Sequence, residues 1–420
     1  MDKSSRLPGF YKLTPEERLE RVRELADLEE KDIEILRKTG SLDIGTASRM
    51  IENVIGTMEF PLGVATNFII NGREVLVPMA IEEPSVVAAA SNAAKLARPG
   101  GGFEASTDEP VMIGQIQLVG ISDPEKAGRA ILERKDEILE LCNRQDSMLV
   151  KFGGAARDME VRELETDMET MLVIHLMVDV RDAMGANAIN TMAERIMPIL
   201  EEASGGKARL RIITNLATRR LARARAVWKK DVIGEDVVQG VLEAYAFACA
   251  DQYRCTTHNK GIMNGVDAVT IATGNDFRAV ESGAHSFASF GRKYTSLTSY
   301  EKDKDGNLVG SIELPIAVGT VGGATRTNPV AGVALKILGT RSAQELAQVM
   351  ASVGLAQNFA ALRVLATEGI QRGHMGLHAK NIAVMAGAKG EMIDRVAARM
   401  VEEKDISAGR AEQILRELSG

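Results

Sequence analysis

The sequence predicts a mixed α/β (α+β) protein of more than one domain, with a ferredoxin-like sandwich set inside it. Three observations carry that prediction. Patterning between Val111 and Thr214 runs strand, helix, strand, strand, helix, strand, the order of a split βαβ sandwich. The chain on either side alternates hairpin signals with amphipathic helices, and its first and last segments read as helices only. At 420 residues it is also too long for one ordinary core, so two or three domains are expected.

Composition narrows the class. A hydrophobic fraction of 45% suits a globular enzyme-sized protein, and a formal net charge of −7 gives no support to a nucleic-acid binder. No apolar segment follows Met1, and no uncharged apolar run reaches the length of about 18 residues that a membrane span needs. A soluble, cytoplasmic protein is therefore expected, with no membrane partner. Cys142, Cys249 and Cys255 are odd in number and form no CxxC pair, which reads as reduced thiols.

In chain order, Thr14-Pro15-Glu16-Glu17 opens a helix with a cap, a first-turn proline and an acid three residues on. A second helix is expected to Lys38 and a third over 45–58, ending in Glu52-Asn53-Val54-Ile55-Gly56. Strands then flank Asn71-Gly72, a hairpin turn signal. Glu82-Glu83-Pro84-Ser85 leads into an alanine-rich helix. The acids there read either as partners of the helix dipole or, for Glu83, as a proton donor beside a buried helix. Pro99-Gly100-Gly101-Gly102 reads as a flexible joint.

The sandwich module follows: a strand at Val111–Val119, one amphipathic helix at Pro124–Asn143, strands around 160–165 and 171–180, a helix at Ala188–Ala203 and a strand at Arg209–Thr214. It lacks an aromatic strand motif, and its charge is mixed, which argues against an RNA-binding use. Asp182-Ala183-Met184-Gly185-Ala186-Asn187 lies between strand and helix, where free backbone N–H groups bind phosphate; it is not the GxGxxG of a Rossmann domain. Lys151-Phe152-Gly153-Gly154 is a second glycine-rich loop. Residues 218–230 hold six arginines and lysines, read as a solvated face, an interface or a site for a phosphate-bearing tail.

Beyond the module a helix at Asp236–Ala250 is expected, then a hairpin about Asp305-Gly306, a glycine-rich turn at Gly319–Asn328 and helices around 342–353 and 357–369. The stretch from His258 to Asp276 concentrates polar residues around an apolar run, Ala268–Ala272, read as a buried strand that carries Lys260 and Asp276 back to one place. A fixed ammonium beside a carboxylate can polarise a carbonyl; the alternative is a surface lysine and an ordinary Gly-Asn-Asp turn. In the tail, His374 and His378 share metal-ligand spacing, but Met375 stands where a zinc protease has glutamate, so no metal is expected. His374, between Gly373 and Gly376, suits a proton carrier on a hinged lid. A helical pair over 390–404 and 407–418 closes the chain.

Together, Glu52–Gly56, Glu83–Ser85, Asp182–Asn187, Arg254, His258–Gly261, Gly274–Asp276, Gly319–Thr325 and Gly373–Met375 resemble hydroxymethylglutaryl-CoA reductase in its soluble, class II branch, in order and spacing from about residue 9 onward. The resemblance implies a large domain (1–108 and 218–370) interrupted by the small ferredoxin-like domain (109–217), which binds the nicotinamide cofactor, and a C-terminal flap (371–420). It implies interconversion of HMG-CoA with mevalonate and CoA by two hydride steps in an obligate homodimer whose active site forms between subunits. Lys260 would stabilise the oxyanion, Glu83 (raised in pKa by burial) would exchange the proton, Asp276 would tune both, and His374 would protonate the CoA thiolate. Ser85, Arg254, Asn264 and Gln357 match acyl-holding positions, and Asp146, Asp182, Met184, Gly185, Asn187 and Asn215 match the cofactor site. An aspartate at the place of Asp146 implies NAD, with NADP use open. Where an arginine for the CoA phosphates is expected after Gly9-Phe10, the chain has Tyr11-Lys12, so Lys12 is the candidate substitute. Two other classes remain at this point: another acyl-CoA or aldehyde oxidoreductase, and a non-enzymatic ferredoxin-like RNA or effector binder.

Overall fold

The computed structural model describes residues 4–144, 148–367 and 379–419. At the N-terminus, Thr14 and Glu17 form the reciprocal capping box that starts α1 (Pro15–Ala26). With α2 (Glu30–Arg37) it buries Val22, Leu28 and Ile33 against Leu76, Val333 and Ile337. Buried Asp32 is matched by Lys336 at 2.6 Å. The third helix is shorter than expected: α3 is Ile44–Met50 only, and Asn53 is left-handed (φ 56°). Residues 54–60 have no regular secondary structure.

The larger sheet has six strands in the order β2-β1-β3-β8-β10-β9. Strands β1 (Leu62–Ile70) and β2 (Arg73–Ala80) turn at Asn71-Gly72, both with positive φ (50° and 75°), as a two-residue hairpin demands. The alanine-rich segment forms α4 (Val86–Ala97), buried through Val86, Ala90, Ala93, Ala94 and Ala97. The glycines that follow are not a flexible joint. A Cβ on Gly100 would lie 1.9 Å from the Val227 carbonyl oxygen, and one on Gly102 would lie 2.5 Å from that of Ile69. The triplet is a close-packed turn leading into β3 (Phe103–Thr107).

The smaller sheet, β5-β6-β4-β7, has the strand order of the ferredoxin-like sandwich. Its strands are β4 (Val111–Val119), β5 (Ala155–Glu165), β6 (Thr170–Asp179) and β7 (Lys207–Ile213), all antiparallel. The single helix expected at Pro124–Asn143 breaks at Arg134 into α5 (Pro124–Glu133) and α6 (Lys135–Asn143), and α7 (Met148–Lys151) is one turn. With α8 (Ala186–Ser204) they enclose a core of Ile116, Ile131, Ile138, Ile174, Ile189 and Ile196.

The basic segment turns its arginines to a partly solvated face, but the element beneath them is a core strand. It is β8 (Leu221–Trp228), a strand paired on both edges. Its two-residue period sends Ala222, Ala224, Ala226 and Trp228 into the core and Arg223 outward to Asp108 (2.6 Å) and Glu313 (2.5 Å). Trp228 stacks on Phe359 with ring centroids 4.0 Å apart. After α9 (Lys230–Ile233) come α10 (Glu235–Ala250), α11 (Gln252–Ala272), α12 (Phe277–Ala288) and the hairpin β9 (Thr298–Lys302) and β10 (Leu308–Pro315).

The glycine-rich turn ends in α13 (Gly323–Thr327), and an unexpected helix, α14 (Pro329–Leu338), follows. The two helices expected around 342–353 and 357–369 are one, α15 (Ala343–Ala366). Gly354 suggests a break but lies in mid-helix, where a Cβ would come within 2.9 Å of Val266. At 24 residues α15 is long and apolar enough to cross a membrane, yet it lies buried in the protein core. The helices Glu391–Glu403 and Ala408–Ser419, with a helical stretch at 379–385, form a small core of their own around Ala383, Val396, Met400, Ala411 and Ile414.

The glycine turn is directly testable. Gly100→Ala is expected to cost about 3 kcal/mol by overpacking against β8. Gly101→Ala meets open space and pays only for its left-handed backbone (φ 102°), about 1 kcal/mol. Urea unfolding of both variants checks the contrast.

Candidate active site

The stretch from His258 to Asp276 does not contain the expected strand. Ala268–Ala272 is the last part of the 21-residue helix α11, capped at its start by Asp251 and buried at that end by residues such as Ala80 and Ala334. An apolar run of five residues has no period of its own, and core packing here made it helical. The twelve helical residues after Lys260 advance roughly 18 Å along the axis. The strand that was to carry Lys260 and Asp276 back to one place is therefore absent.

The pairing of Lys260 with Glu83 is nevertheless present. Lys260 Nζ donates to Glu83 Oε2 at 2.8 Å, across 177 residues of sequence. Both side chains are accessible, 58% and 38%, so the burial expected of Glu83 is not supplied by the described part of this chain. Asp276 caps α12 by accepting from the N–H groups of Arg278 and Ala279, and its other oxygen pairs with Arg278 at 2.8 Å. Among the described residues it makes no hydrogen bond to Lys260 or Glu83. Asn275 ties the same turn to the glycine-rich loop by accepting from Gly319 N–H at 2.8 Å.

Three of the other expected site residues lie on the elements that carry the pair or pack against them. Ser85, two residues after Glu83, holds a left-handed backbone (φ 72°) and makes no cap bond, a strain that marks functional turns. Asn264 is one turn from Lys260 on the same face of α11. Gln357 is buried against Gly265, and its Oε1 has no protein partner among the described residues, as suits an atom kept for a ligand. Arg254 lies on α11 but on the face of His258, roughly 120° round from Lys260. A cavity of about 770 Å³ opens elsewhere, over the face of the large sheet by Arg223, Arg225 and Tyr245. It contains neither member of the acid–lysine pair.

Residues 14–379 match the family model for hydroxymethylglutaryl-coenzyme A reductase. The chain belongs to that family. It is 59% identical over 416 residues to the 3-hydroxy-3-methylglutaryl-coenzyme A reductase of Archaeoglobus fulgidus, covering 99% of this chain and 95% of the relative. A probable enzyme of the same name from Borreliella burgdorferi is 36% identical over 82% of this chain and 80% of its own length. Among solved structures, the class II reductase of Streptococcus pneumoniae, described as bound to NADPH in open conformations, superposes with a TM-score of 0.82 at 40% identity, covering 97% of this chain and all of the other. The branch is therefore class II, and the fold is that of a class II HMG-CoA reductase.

On the cofactor side of this reductase, Gly185 precedes α8 in a left-handed conformation (φ 104°) with no side-chain cap, so first-turn N–H groups are left for an anionic ligand. Asn187 is exposed in that first turn, and Met184 and Asn215 are half-buried. Those residues fit a dinucleotide phosphate. Asp182 has a structural tie as well: its Oδ1 accepts from Ala343 N–H at the start of α15, and its carbonyl oxygen accepts from Thr320 N–H. Buried Arg220 fastens the same turn by donating to the carbonyl oxygens of Ala183 and Val318. Asp146 and His374 lie outside the described residues, as does the segment from Arg372 to His378. Lys12 is exposed, its ammonium 5.8 Å from the Tyr11 ring centre.

Sequence reasoning passed over His258, although it belongs to the His-Asn-Lys-Gly phrase. It is buried at 2% exposure, with Nε2 bonded to Thr298 Oγ1 (2.9 Å) and Ser296 Oγ (2.8 Å). Burial, with Arg254 nearby, pushes its pKa down to about 3. An unfolded histidine titrates near 6.5. Between those values the unfolded state takes up a proton that the folded state refuses, so stability falls as pH drops from about 6.5 toward 3. His258→Gln is expected to flatten that fall by about 1.4 kcal/mol per pH unit, read from urea unfolding at pH 6, 5 and 4.

Proposed function

We propose that the chain interconverts (S)-HMG-CoA and (R)-mevalonate plus CoA, with NAD(H) preferred, as a homodimer whose active site is completed by the second subunit. The observation that carries this reading is the 2.8 Å contact of Lys260 and Glu83, an ammonium and a proton carrier placed for one carbonyl oxygen. The nicotinamide cofactor, when bound, supplies or accepts the hydride. In the reducing direction Lys260 stabilises the oxyanion that forms at the thioester carbonyl, and Glu83 protonates it to the hemithioacetal. When the C–S bond breaks, that proton returns to Glu83, and His374 protonates the departing thiolate. The aldehyde oxygen then meets the same pair in the second reduction. Asp276 tunes the pair, and Ser85, Arg254, Asn264 and Gln357 hold the acyl group.

The need for a second subunit is physical. The Lys260 face of α11 also carries Tyr253 and Thr257, all exposed, so the charges face solvent and are weakened by it. Residues 50–60 expose Met50, Ile51, Ile55, Met58 and Phe60, an apolar stretch that a partner would cover. The three cysteines are unpaired, as expected of a cytoplasmic protein.

The test is to mix the protein with mevalonate, CoA and NAD and follow the absorbance of reduced cofactor. Lys260→Ala and Glu83→Gln are each expected to lower kcat by about 10²–10³-fold, with folding and dimerisation intact. A Lys260→Ala enzyme with half the wild-type rate would overturn the mechanism.

The cofactor preference rests on Asp146, placed by sequence after the first helices of the small domain. A carboxylate accepts from the ribose 2′-hydroxyl of NAD and repels the 2′-phosphate of NADP. Arg144 and Lys151 flank it in sequence and soften that repulsion. The wild type is expected to show the higher kcat/KM with NAD, and Asp146→Ala to move the ratio toward NADP by about tenfold or more. An unmoved ratio would remove Asp146 from the site.

A further inference from the structure

One arginine of the basic run at 218–230 is set apart from the others. Arg219 faces Glu160 at 3.2 Å, Arg223 faces Asp108 and Glu313, and Arg225 faces Glu104 at 4.0 Å. Arg220, one residue before β8, is 5% exposed and pairs with no carboxylate among the described residues. Its guanidinium donates to carbonyl oxygens instead: Nη2 to Val318 at 2.6 Å, and Nη1 to Ala183 at 3.1 Å and, more weakly, to Met184 at 3.4 Å. The nearest acids are engaged elsewhere. Asp179 meets Arg157 and Arg181, and Asp182 Oδ1 accepts from Ala343 N–H. Burial lowers the Arg220 pKa to about 10, against the pull of Asp182 and Asp179, so the group is a cation at neutral pH.

A buried charge without a counter-charge is costly, and carbonyl dipoles offset only part of the cost. What this arrangement does provide is orientation. In a trans peptide the N–H points opposite to the C=O. Drawing the carbonyls of Ala183 and Met184 toward Arg220 therefore turns the N–H groups of Met184 and Gly185 away from it. Neither N–H has an acceptor among the described residues, although Gly185 is a buried residue. The two continue into the first-turn N–H groups of α8, so the turn shows a run of donors on one side and a guanidinium on the other. Successive N–H groups around a left-handed residue make an anion-binding concavity, and Gly185 is that residue (φ 104°). The turn is fixed against the glycine-rich loop as well. Asp182 O accepts from Thr320 N–H at 2.9 Å, and a Cβ on Gly319 would come within 2.8 Å of Met184 N.

We propose that Arg220 is a positioning residue for the nicotinamide cofactor: it holds the turn at 182–187 with its N–H groups outward and stands behind them as the buried positive charge for the cofactor diphosphate. The inference rests on the reading of that turn as the cofactor site. Arg220 touches protein carbonyls and acts through the turn. A lysine supplies the charge but not the planar fork that reaches carbonyl groups on two segments at once. The diphosphate is common to NAD and NADP, so the role of Arg220 does not depend on which of them is preferred.

The experiment titrates NADH and NADPH, followed by their fluorescence, and HMG-CoA, followed by calorimetry, into wild type, Arg220→Met and Arg220→Lys. Arg220→Met is expected to raise the Kd of whichever dinucleotide the wild type binds by about tenfold or more, and to leave that of HMG-CoA within about twofold. Arg220→Lys keeps the charge and loses the fork, and a rise of about threefold or more is expected. Wild-type dinucleotide affinity in Arg220→Met would overturn the proposal. So would an equal loss of affinity for HMG-CoA, which marks a merely structural role. If Arg220→Met does not fold, Arg220→Lys decides, and an unchanged dinucleotide Kd there overturns the proposal in the same way. Wild-type protein that binds neither dinucleotide would instead defeat the reading of the turn as a cofactor site, before any variant is compared.

Discussion

Two glycines let the long helices α11 and α15 cross at backbone distance, and the position of Lys260 follows from that crossing. A Cβ on Gly265 would come within 2.9 Å of Gln357, and one on Gly354 within 2.9 Å of Val266. No larger residue allows the helices so close without displacing a neighbour. At 100° per residue, Ile262 and Gly265 lie roughly 140–160° round α11 from Lys260. Seating that face on α15 turns the lysine away from the core, toward the segment that follows β2. The same crossing brings Gln357, from the middle of α15, against Gly265. The groups proposed to hold substrate on these two helices are thereby set by core packing, which holds them far more firmly than surface loops would.

How much of this was legible in the sequence depends on whether a signal was local. Asn71-Gly72 specified its hairpin because a two-residue turn needs positive φ at both positions, and Thr14 to Glu17 specified a helix start through paired side-chain caps. Gln115 to Leu118 alternates because one face of its sheet is covered. The failures arose where tertiary packing decided. Ala268–Ala272 has no periodicity of its own, and only burial against β2 and α14 shows it to be helix. The glycines at 100–102 look like a hinge until β8 is placed against them. Gly354 looks like a helix break until α11 supplies the neighbour that needs it. The arginines of β8 disguised a core strand, since alternating alanines are weak signals beside conspicuous charges.

The site shows the same division. Glu83 and Lys260 were found through their motifs, and the fold joins them although the strand argument for placing the lysine fails. The tie of Arg220 to the turn at 182–187 was not found, because one arginine in a basic run is not unusual alone. It appears only when the chain leaving the small domain is known to pass against that turn. His258 was missed for the opposite reason. It sits inside a motif, but its partners Ser296, Thr298 and Asn358 come from elements 38 to 100 residues away.

One chain assembles the charges of the site without enclosing them. Glu83 and Lys260 remain solvated, Gln357 Oε1 lacks a partner, and the apolar residues near Ile55 face water. Covering the ion pair would strengthen it, and covering the apolar stretch would remove it from water. An ion pair in water contributes little, whereas the same pair under a cover of low dielectric acts strongly on a carbonyl oxygen. In the proposed homodimer a second subunit would supply that cover permanently, and the C-terminal helices, which pack around a core of their own, would be free to move apart from it. Leaving enclosure to assembly and closure separates two needs that conflict in a rigid cleft: a dry site for hydride transfer, and an open one through which a large thioester and a spent cofactor can pass.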